Sequence, residues 1–543
     1  MNILQKFILL LISCTILCHH PVESKLLRKA LSEEDEEEES ESIIPQVEVQ
    51  QVAVPPPEPL PAFTFEQVLQ TVPYFKTTLG ILVYDPQQDK FILHYPNSMR
   101  WVAACHKLVK SFKVLANSLR LLYPDRFTPT QPEFSLAVTS ADYPGIEFTD
   151  CIKHQRKDCI KQDLSPILQF GSAFKRPIIP TMVAMPMPQH NHLGCYHYWL
   201  QHKVVCPFYL QRDEITNPHG LVYPENIGLS FEELIPQVVW RGTDFSFLHK
   251  MRPELRKPQF DLDIASQIDL SDKSDKKISA TKAMREIYDE LIPRWKGVVW
   301  TAEAEREAEQ MEGENVIPWC NIKFAGSMYN GEDIGGGQIG ASKTATTEIP
   351  YYQQFEEYGI PAAGEGMSLE VLGQYKYHID IGGGGGTTWS GTIEKLALPG
   401  LLFHHRTPTK DYFHDALQPW VHFVPVKENL SDLKDKFEWA ESHPLMARRI
   451  AEKATEFAKS LGTPEGLDWM FHQYYEWPLQ RVVEAYQPLE QGSDWREVMS
   501  QLMEPDVLRP ILECGGFHHH DCERLVNDIH FTAHDKTVGQ PLA

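Results

Sequence analysis

The chain has 543 residues, 42% of them apolar, 23% charged and 11% aromatic. This ordinary globular balance excludes collagen-like, mucin-like and wholly disordered classes, and at roughly 150 residues per domain the length admits at least two cores. Lys and Arg number 51 against 74 Asp and Glu, a net charge of −23, which argues against non-specific binding to nucleic acid or to an anionic membrane.

Met1 to Lys6 is a short segment with one lysine, and Phe7 to Cys18 is an apolar run. A membrane-spanning helix needs about 20 such residues, so residues 1–22 read as a secretory signal peptide, with a short signal-anchor as the alternative. No later stretch is long and apolar enough to span. The expected setting is the endoplasmic reticulum or Golgi lumen, or secretion. Cysteine usage fits an oxidising compartment. Beyond Cys14 and Cys18 the chain has Cys105, Cys151, Cys159, Cys195, Cys206, Cys320, Cys514 and Cys522, with local pairs plausible at Cys151/Cys159, Cys195/Cys206 and Cys514/Cys522. Spacing alone does not fix the connectivity.

Residues 23–61 combine the acidic run Glu33 to Glu41 with Val54-Pro-Pro-Pro-Glu-Pro-Leu-Pro61. Neither buries enough apolar area to offset ordering entropy, so a disordered acidic, proline-rich linker is expected. Folded sequence starts near Phe63. Residues 78–85 read as a strand, Trp101 to Tyr123 as an amphipathic helix, and 133–140 as a buried strand running into the turn Ala141-Asp142-Tyr143-Pro144-Gly145. Residues 170–235 read as loops, 235–242 as a strand, 252–285 as a polar surface insertion and 300–311 as a helix. A second α/β section follows, with strands at 377–381, 400–404 and 421–426 and helices at 392–398, 429–441 and 445–461. The alternation implies an α/β fold.

The strongest local pattern is strand, glycine run, helix, strand over residues 377–404. In open α/β sheets a glycine turn lets the backbone approach a pyrophosphate, and the next helix presents its N-terminal N–H groups and positive dipole to it. Gly384, Gly385 and Gly386 lie in that run, Thr387, Thr388 and Ser390 add hydroxyls, and Glu394 lies one turn into the helix, where a carboxylate accepts ribose hydroxyls. The competing reading is a plain glycine loop. Gly335-Gly-Gly337-Gln-Ile-Gly340 matches G-x-G-x-x-G without a preceding strand and reads as a surface loop. The Asp261-Leu-Asp263 triplet has a metal-holding spacing but sits in a polar stretch. His518 to His520 near Cys514 and Cys522, and the scattered His190, His192, His197 and His202, read as exposed histidines more readily than as zinc ligands. No metal site is therefore expected. No G-x-S-x-G or H-E-x-x-H occurs. Asn429-Leu-Ser431 is an N-glycosylation sequon.

Several segments, in this order, resemble glycosyltransferase family 90, the Rumi-like, capsule-associated-protein glycosyltransferases. They are Phe134-Ser-Leu-Ala-Val-Thr-Ser-Ala-Asp-Tyr-Pro144, Val239-Trp-Arg-Gly-Thr243, Tyr375-Lys-Tyr-His-Ile-Asp-Ile-Gly382, Trp389-Ser390, Leu417-Gln-Pro-Trp-Val-His-Phe-Val-Pro-Val426, Leu430-Ser-Asp-Leu433 and Ala447-Arg-Arg-Ile-Ala451. The resemblance covers about residues 130–465. It implies a GT-B fold of two facing Rossmann-like domains, expected as an acceptor domain over 62–234 and a donor domain over 235–490; the acidic stalk and a tail over 491–543 fall outside the resemblance. It also implies inverting, metal-independent transfer of a glucose- or xylose-class sugar from a UDP-sugar to a hydroxyl of a protein or glycan, with the nucleotide sugar as donor substrate and no cofactor. Asp142 matches the family's general base. Arg241, with Gly242 and Thr243, matches a W/F-R-G motif whose guanidinium meets the donor diphosphate, and Trp389 joins the donor residues already named. The chain departs from the family pattern in two places: Ala141 replaces the arginine before Asp-Tyr-Pro, and the helix start Trp389-Ser-Gly-Thr-Ile-Glu394 lacks an arginine. Arg406 and Lys343 are candidate replacements. Two other readings stand beside the transferase: a non-catalytic sugar- or nucleotide-binding relative, and a hydrolase built on Asp142 and Asp380.

Overall fold

The computed structural model describes residues 59–75, 79–96, 115–139, 165–169, 172–173, 182–184, 221–248, 252–268, 276–311, 316–325, 351–388, 390–411, 413–461, 463–502 and 508–510. Two six-stranded sheets organise them. In the first, β1 (Leu79–Asp85) and β2 (Lys90–Pro96) form an antiparallel hairpin. The strand β3 (Phe134–Thr139) pairs antiparallel with β1, and β4 (Ile167–Gln169) and β5 (Met182–Ala184) continue in parallel. Leu508–Pro510 adds to the outer side of β2. The buried runs Ile81 to Tyr84 and Phe134 to Val138 are continuous because this sheet is covered on both faces. The helix α1 (Phe65–Phe75) packs on β1 and β3, and Tyr84, Phe91, Phe127 and Phe134 interlock with ring centroids 5.1–5.4 Å apart.

The second sheet contains β6 (Ile235–Gly242), β7 (Cys320–Ala325), β8 (Ala363–Gly364), β9 (Tyr375–Asp380), β10 (Leu401–His405) and β11 (Val424–Val426), in the spatial order β8-β7-β6-β9-β10-β11. Every pairing is parallel. Counted along the chain this is the doubly wound order 3-2-1-4-5-6 of Rossmann-like sheets, with its switch point between β6 and β9. Strands buried on both faces need long apolar runs, and Leu401-Leu-Phe-His-His405 is buried throughout.

Helices supply the layers. Ahead of β7 come α2 (Lys276–Glu286) and α3 (Pro293–Gln310); α3 packs on β7 and buries Trp295, Val298, Val299 and Ala302. After the glycine run comes α4 (Ser390–Ala397). Beyond β11 lie α5 (Leu433–Ser442) and α6 (Pro444–Ser460). The helix α6 buries Ala447, Ile450, Ala451, Ala454, Phe457 and Ala458, a stripe with helical spacing that lies against α4 and β10. Its large members contribute about 1.5–3 kcal/mol each. The chain then returns to the first sheet. Phe471 of α7 (Pro464–Phe471), Leu479 and Val482 of α8 (Trp477–Ala485), and Trp495 of α9 (Trp495–Leu502) lie in the first sheet's core.

Most expected elements form within a few residues of where the sequence puts them. Residues 252–285 do not behave as a surface insertion. Ile264, Ile268, Ala280, Ala283 and Met284 belong to the core of the second sheet. A π-helical turn over Phe260–Ala265 and the helix α2 each carry a narrow apolar stripe that the surrounding charge conceals. Within that turn Asp263 is buried and pairs with both Arg256 terminal nitrogens at 2.6 and 2.9 Å, which occupies half of the Asp261/Asp263 triplet. Cys320 is a buried free thiol in β7. Among the described residues no helix is long and apolar enough to cross a membrane. The signal segment, the other cysteines, Gly335 to Gly340, Lys343 and the histidines at 190–202 and 518–520 lie outside the described residues.

Candidate active site

The parallel order places the carboxyl ends of β6, β9 and β10 on one edge, and ligands in such sheets bind outside that edge at the switch point. Two sequence-predicted segments meet there. One leaves β6 through Gly242 and Thr243; the other leaves β9 through Gly382 to Gly386. Leu248 N–H donates to the Gly384 carbonyl at 3.2 Å. The buried guanidinium of Arg294, in the first turn of α3, spans the gap. Its Nη1 donates to the Thr243 carbonyl at 2.6 Å and Nη2 to the Ile381 carbonyl at 3.1 Å, while the group lies 5.0 Å from the centroid of the Trp240 ring.

The glycine loop has a fixed shape. Gly386 N–H donates to the Gly383 carbonyl at 2.9 Å, closing a tight turn. The carbonyls of Gly385 and Gly386 accept from Thr409 Oγ1 at 2.7 Å and Thr407 Oγ1 at 2.8 Å. Gly382 N–H donates to His405 Nδ1 at 3.0 Å. Gly386 has φ of +81°, and a Cβ there meets Thr409 Oγ1 at 2.4 Å, so only glycine fits. Gly383 N–H donates to the Thr387 carbonyl at 3.0 Å, so the N–H groups of Gly382, Gly383 and Gly386 are all spent within the fold, and among the described residues only Gly384 and Gly385 of the five glycines keep N–H groups for an anion.

Asp380, the last residue of β9, ties this loop to its neighbours. Its buried carboxylate lies 2.8 Å from His404 Nδ1 and accepts from Thr392 Oγ1 at 2.6 Å and from His405 N–H at 3.2 Å. Burial pushes its pKa up, but the His404 ring, Lys395 and the Thr392 hydroxyl outweigh that and hold it below the ordinary carboxylate value. Thr388 Oγ1 bonds Thr392 Oγ1 and approaches Asp380 at 3.5 Å. Asp380 therefore fixes the first turn of α4 against β10. Burial lowers the His405 pKa to about 4; the ring is neutral, accepting from Gly382 at Nδ1 and donating from Nε2 to the Glu428 carbonyl at 2.7 Å.

The remaining predicted residues are placed as follows. Thr387 is buried, at 3% exposure, and among the described residues its hydroxyl has no hydrogen-bond partner. Thr388 faces inward, to Asp380. Glu394 is half-buried in α4, and the helix begins at Ser390. Arg241 points to the β7–β8 side of β6: its guanidinium donates to the carbonyls of Trp240 and Asn321, both at 2.8 Å, and of Glu365 at 3.1 Å. Burial lowers its pKa. Arg406 is exposed at the end of β10. Asp142 and Trp389 lie outside the described residues. Sequence reasoning did not single out Arg294. The available signal was a cation in a helix's first turn, where the dipole disfavours it, between the apolar Ile292 and Trp295.

Comparison with known proteins meets the same region. Residues 337–493 match the model of glycosyl transferase family 90. The chain is 31% identical to protein O-glucosyltransferase 2 of Danio rerio over 109 residues, which is 19% of this chain and 20% of that protein. It is 29% identical to protein O-glucosyltransferase 3 of Homo sapiens over 147 residues, 26% of each chain. With protein O-glucosyltransferase 1 of Homo sapiens it shares 31% over 103 residues, 19% of this chain and 25% of that protein. The aligned stretches span about a quarter or less of the curated relatives they match. The family resemblance drawn from the residues is borne out over the glycine loop, α4, β10, β11 and the helices that follow.

Proposed function

We propose that the chain is an inverting glycosyltransferase of GT-B architecture. It carries a glucose- or xylose-class sugar from a uridine diphosphate donor to a hydroxyl of a protein or glycan in the secretory pathway. The observation that carries this reading is the switch-point loop Gly382–Gly386. It is held by Asp380, His405, Thr407 and Thr409, it leads into a helix N-terminus, and it falls inside the family match. The α4 dipole and the Thr387 hydroxyl, unpartnered among the described residues, suit the donor's diphosphate, with Thr243 and Glu394 at its margins. The Arg294 guanidinium adds fixed positive charge beneath Gly383.

In the transfer the acceptor oxygen attacks the anomeric carbon. The bond from that carbon to the diphosphate oxygen breaks, and the acceptor's proton passes to the carboxylate of Asp142. Charge on the departing diphosphate is met by N–H dipoles and arginine, so no metal is required. The alternative of a non-catalytic sugar- or nucleotide-binding relative is favoured by one observation: Arg241 spends its guanidinium on backbone carbonyls. The hydrolase reading loses Asp380, whose carboxylate is committed within the fold.

A thermal-shift titration of the purified chain with UDP-glucose and UDP-xylose, with and without EDTA, tests the donor site. A rise in Tm that EDTA leaves unchanged is expected. Asp142→Asn is expected to keep that rise and lose transfer. No rise with any uridine nucleotide leaves the non-catalytic relative as the answer, and full transfer by Asp142→Asn removes that residue from the role of base.

A further inference from the structure

We infer that Asn429 carries an N-linked glycan. Asn429-Leu430-Ser431 is the single Asn-X-Ser/Thr sequence in the 543 residues. It lies in the turn between β11 and α5, at the outer end of the second sheet. Both Asn429 and Ser431 are exposed, whereas Leu430 between them is fully buried.

The turn presents the amide in one orientation. Asn429 Oδ1 accepts the Ser431 N–H at 3.1 Å, closing an Asx turn. That bond occupies the carbonyl oxygen of the side-chain amide and leaves Nδ2 as the group available to solvent. The backbone beneath is pinned: Tyr288 Oη donates to the Asn429 carbonyl at 3.0 Å and Trp300 Nε1 to the Leu430 carbonyl at 3.0 Å. Leu430 has φ of +55°, a left-handed conformation that its burial and these bonds hold in place. Each of these anchoring contacts goes to backbone or to Leu430, and a substituent on Nδ2 displaces none of them. Among the described residues nothing bonds Nδ2, and an exposed sequon of that kind accommodates a glycan without loss of packing.

The chemistry is that of the host's oligosaccharyl transfer. Nδ2 attacks the reducing-end anomeric carbon of a lipid-diphosphate-linked oligosaccharide, forming a C–N bond. The C–O bond to the diphosphate breaks with its electron pair, and one Nδ2 proton leaves to the transferring enzyme's base. The inference rests on the secretory placement proposed above and not on the chain's own transferase activity, so its readout is independent of that activity.

The full chain is expressed in a eukaryotic cell, and its gel mobility is compared before and after peptide-N-glycosidase, with mass mapping of the peptide that holds residue 429. The expected result is one mobility shift and conversion of Asn429 to Asp by the glycosidase. Ser431→Ala and Asn429→Asp lose the shift, while Ser431→Thr keeps it. Asn429→Asp preserves the Asx acceptor, so its loss of the shift is not a loss of the turn. An unmodified wild-type chain overturns the inference. Protease protection in microsomes then separates the causes: a protected chain without glycan shows that the sequon fails, and an unprotected chain shows that the secretory placement fails as well.

Discussion

The two sheets bury different chemistry. Around the first, aliphatic and interlocked aromatic side chains enclose buried polar groups spread over the sheet and paired within it: Thr71 with Ser165, 3.1 Å apart, Asp85 with Arg496, and Glu133 with Tyr486. At the carboxyl edge of the second, Arg294, Asp380, Thr387, Thr392 and His405 are all buried within a few residues of one glycine loop. A buried polar group costs free energy unless it is bonded, so a fold that concentrates such groups at one edge retains them for a reason other than stability. On the function proposed above, the first sheet is scaffold and the second is the place where a ligand is met. Substitutions at that edge either break this contrast or sharpen it.

Arg294→Met gives the largest expected effect. The side chain keeps much of its apolar stem but withdraws the bridge between the Thr243 and Ile381 carbonyls. Hydrogen bonds from a charged donor to two carbonyls and to Thr243 Oγ1 are lost and the two carbonyls are left buried, at about 3 kcal/mol in total. Urea unfolding measures the loss, and the UDP-sugar shift in Tm should vanish with it. A variant of unchanged stability shows that the two segments of the switch point do not depend on Arg294.

Acid should weaken both sheets, through the buried His94 of β2 in the first, whose pKa burial lowers to about 4, and through His378 and His405 in the second. Burial lowers His378 to a pKa of about 3 and His405 to about 4. Each ring stays neutral in the fold while the unfolded chain takes up a proton below about pH 6.5. Stability is therefore intact above that pH and falls as pH drops from about 6.5 towards the folded values. At pH 5 each histidine removes about 2 kcal/mol. His378 has no partner for either ring nitrogen among the described residues. His378→Leu should accordingly shrink the fall in Tm between pH 7 and pH 5, and an unchanged pH profile contradicts the assignment.

Much of this arrangement was legible in the sequence. Apolar runs gave β1, β3, β6, β9 and β10, and the glycine run between β9 and α4 marked the switch-point side of the sheet. The stripe from Ala447 to Ala458 gave α6. Less visible were elements whose signal depends on a partner. Cys320-Asn-Ile-Lys-Phe-Ala325 is short and mixed in character, and it becomes a central strand because β6 and β8 flank it. Trp477 to Leu502 shows helical amphipathicity but not which sheet its apolar face covers, and the structure gives it to the first. At the site, residue types in local order pointed to the loop, whereas Arg294 lies 87 residues from the carbonyl it reaches at Ile381.

Thr387→Val gives the smallest effect on stability and the most informative one. The Thr387 hydroxyl is buried, and among the described residues it has no partner. Valine keeps the branched shape and removes the polar atom. If the hydroxyl served the fold alone, its removal would leave a former partner unsatisfied and stability would fall. With no such partner, removing an unsatisfied buried hydroxyl should leave Tm unchanged or slightly higher. If the hydroxyl is retained for the donor's diphosphate, the same change loses one hydrogen bond to a charged group, and affinity for UDP should fall about tenfold, or about 1.4 kcal/mol. Calorimetric titration beside thermal unfolding reads both quantities on one sample. Weaker UDP binding at unchanged stability assigns Thr387 to the ligand. Unchanged binding with a lower Tm makes the second sheet's polar edge scaffold like the first and removes the contrast between the two.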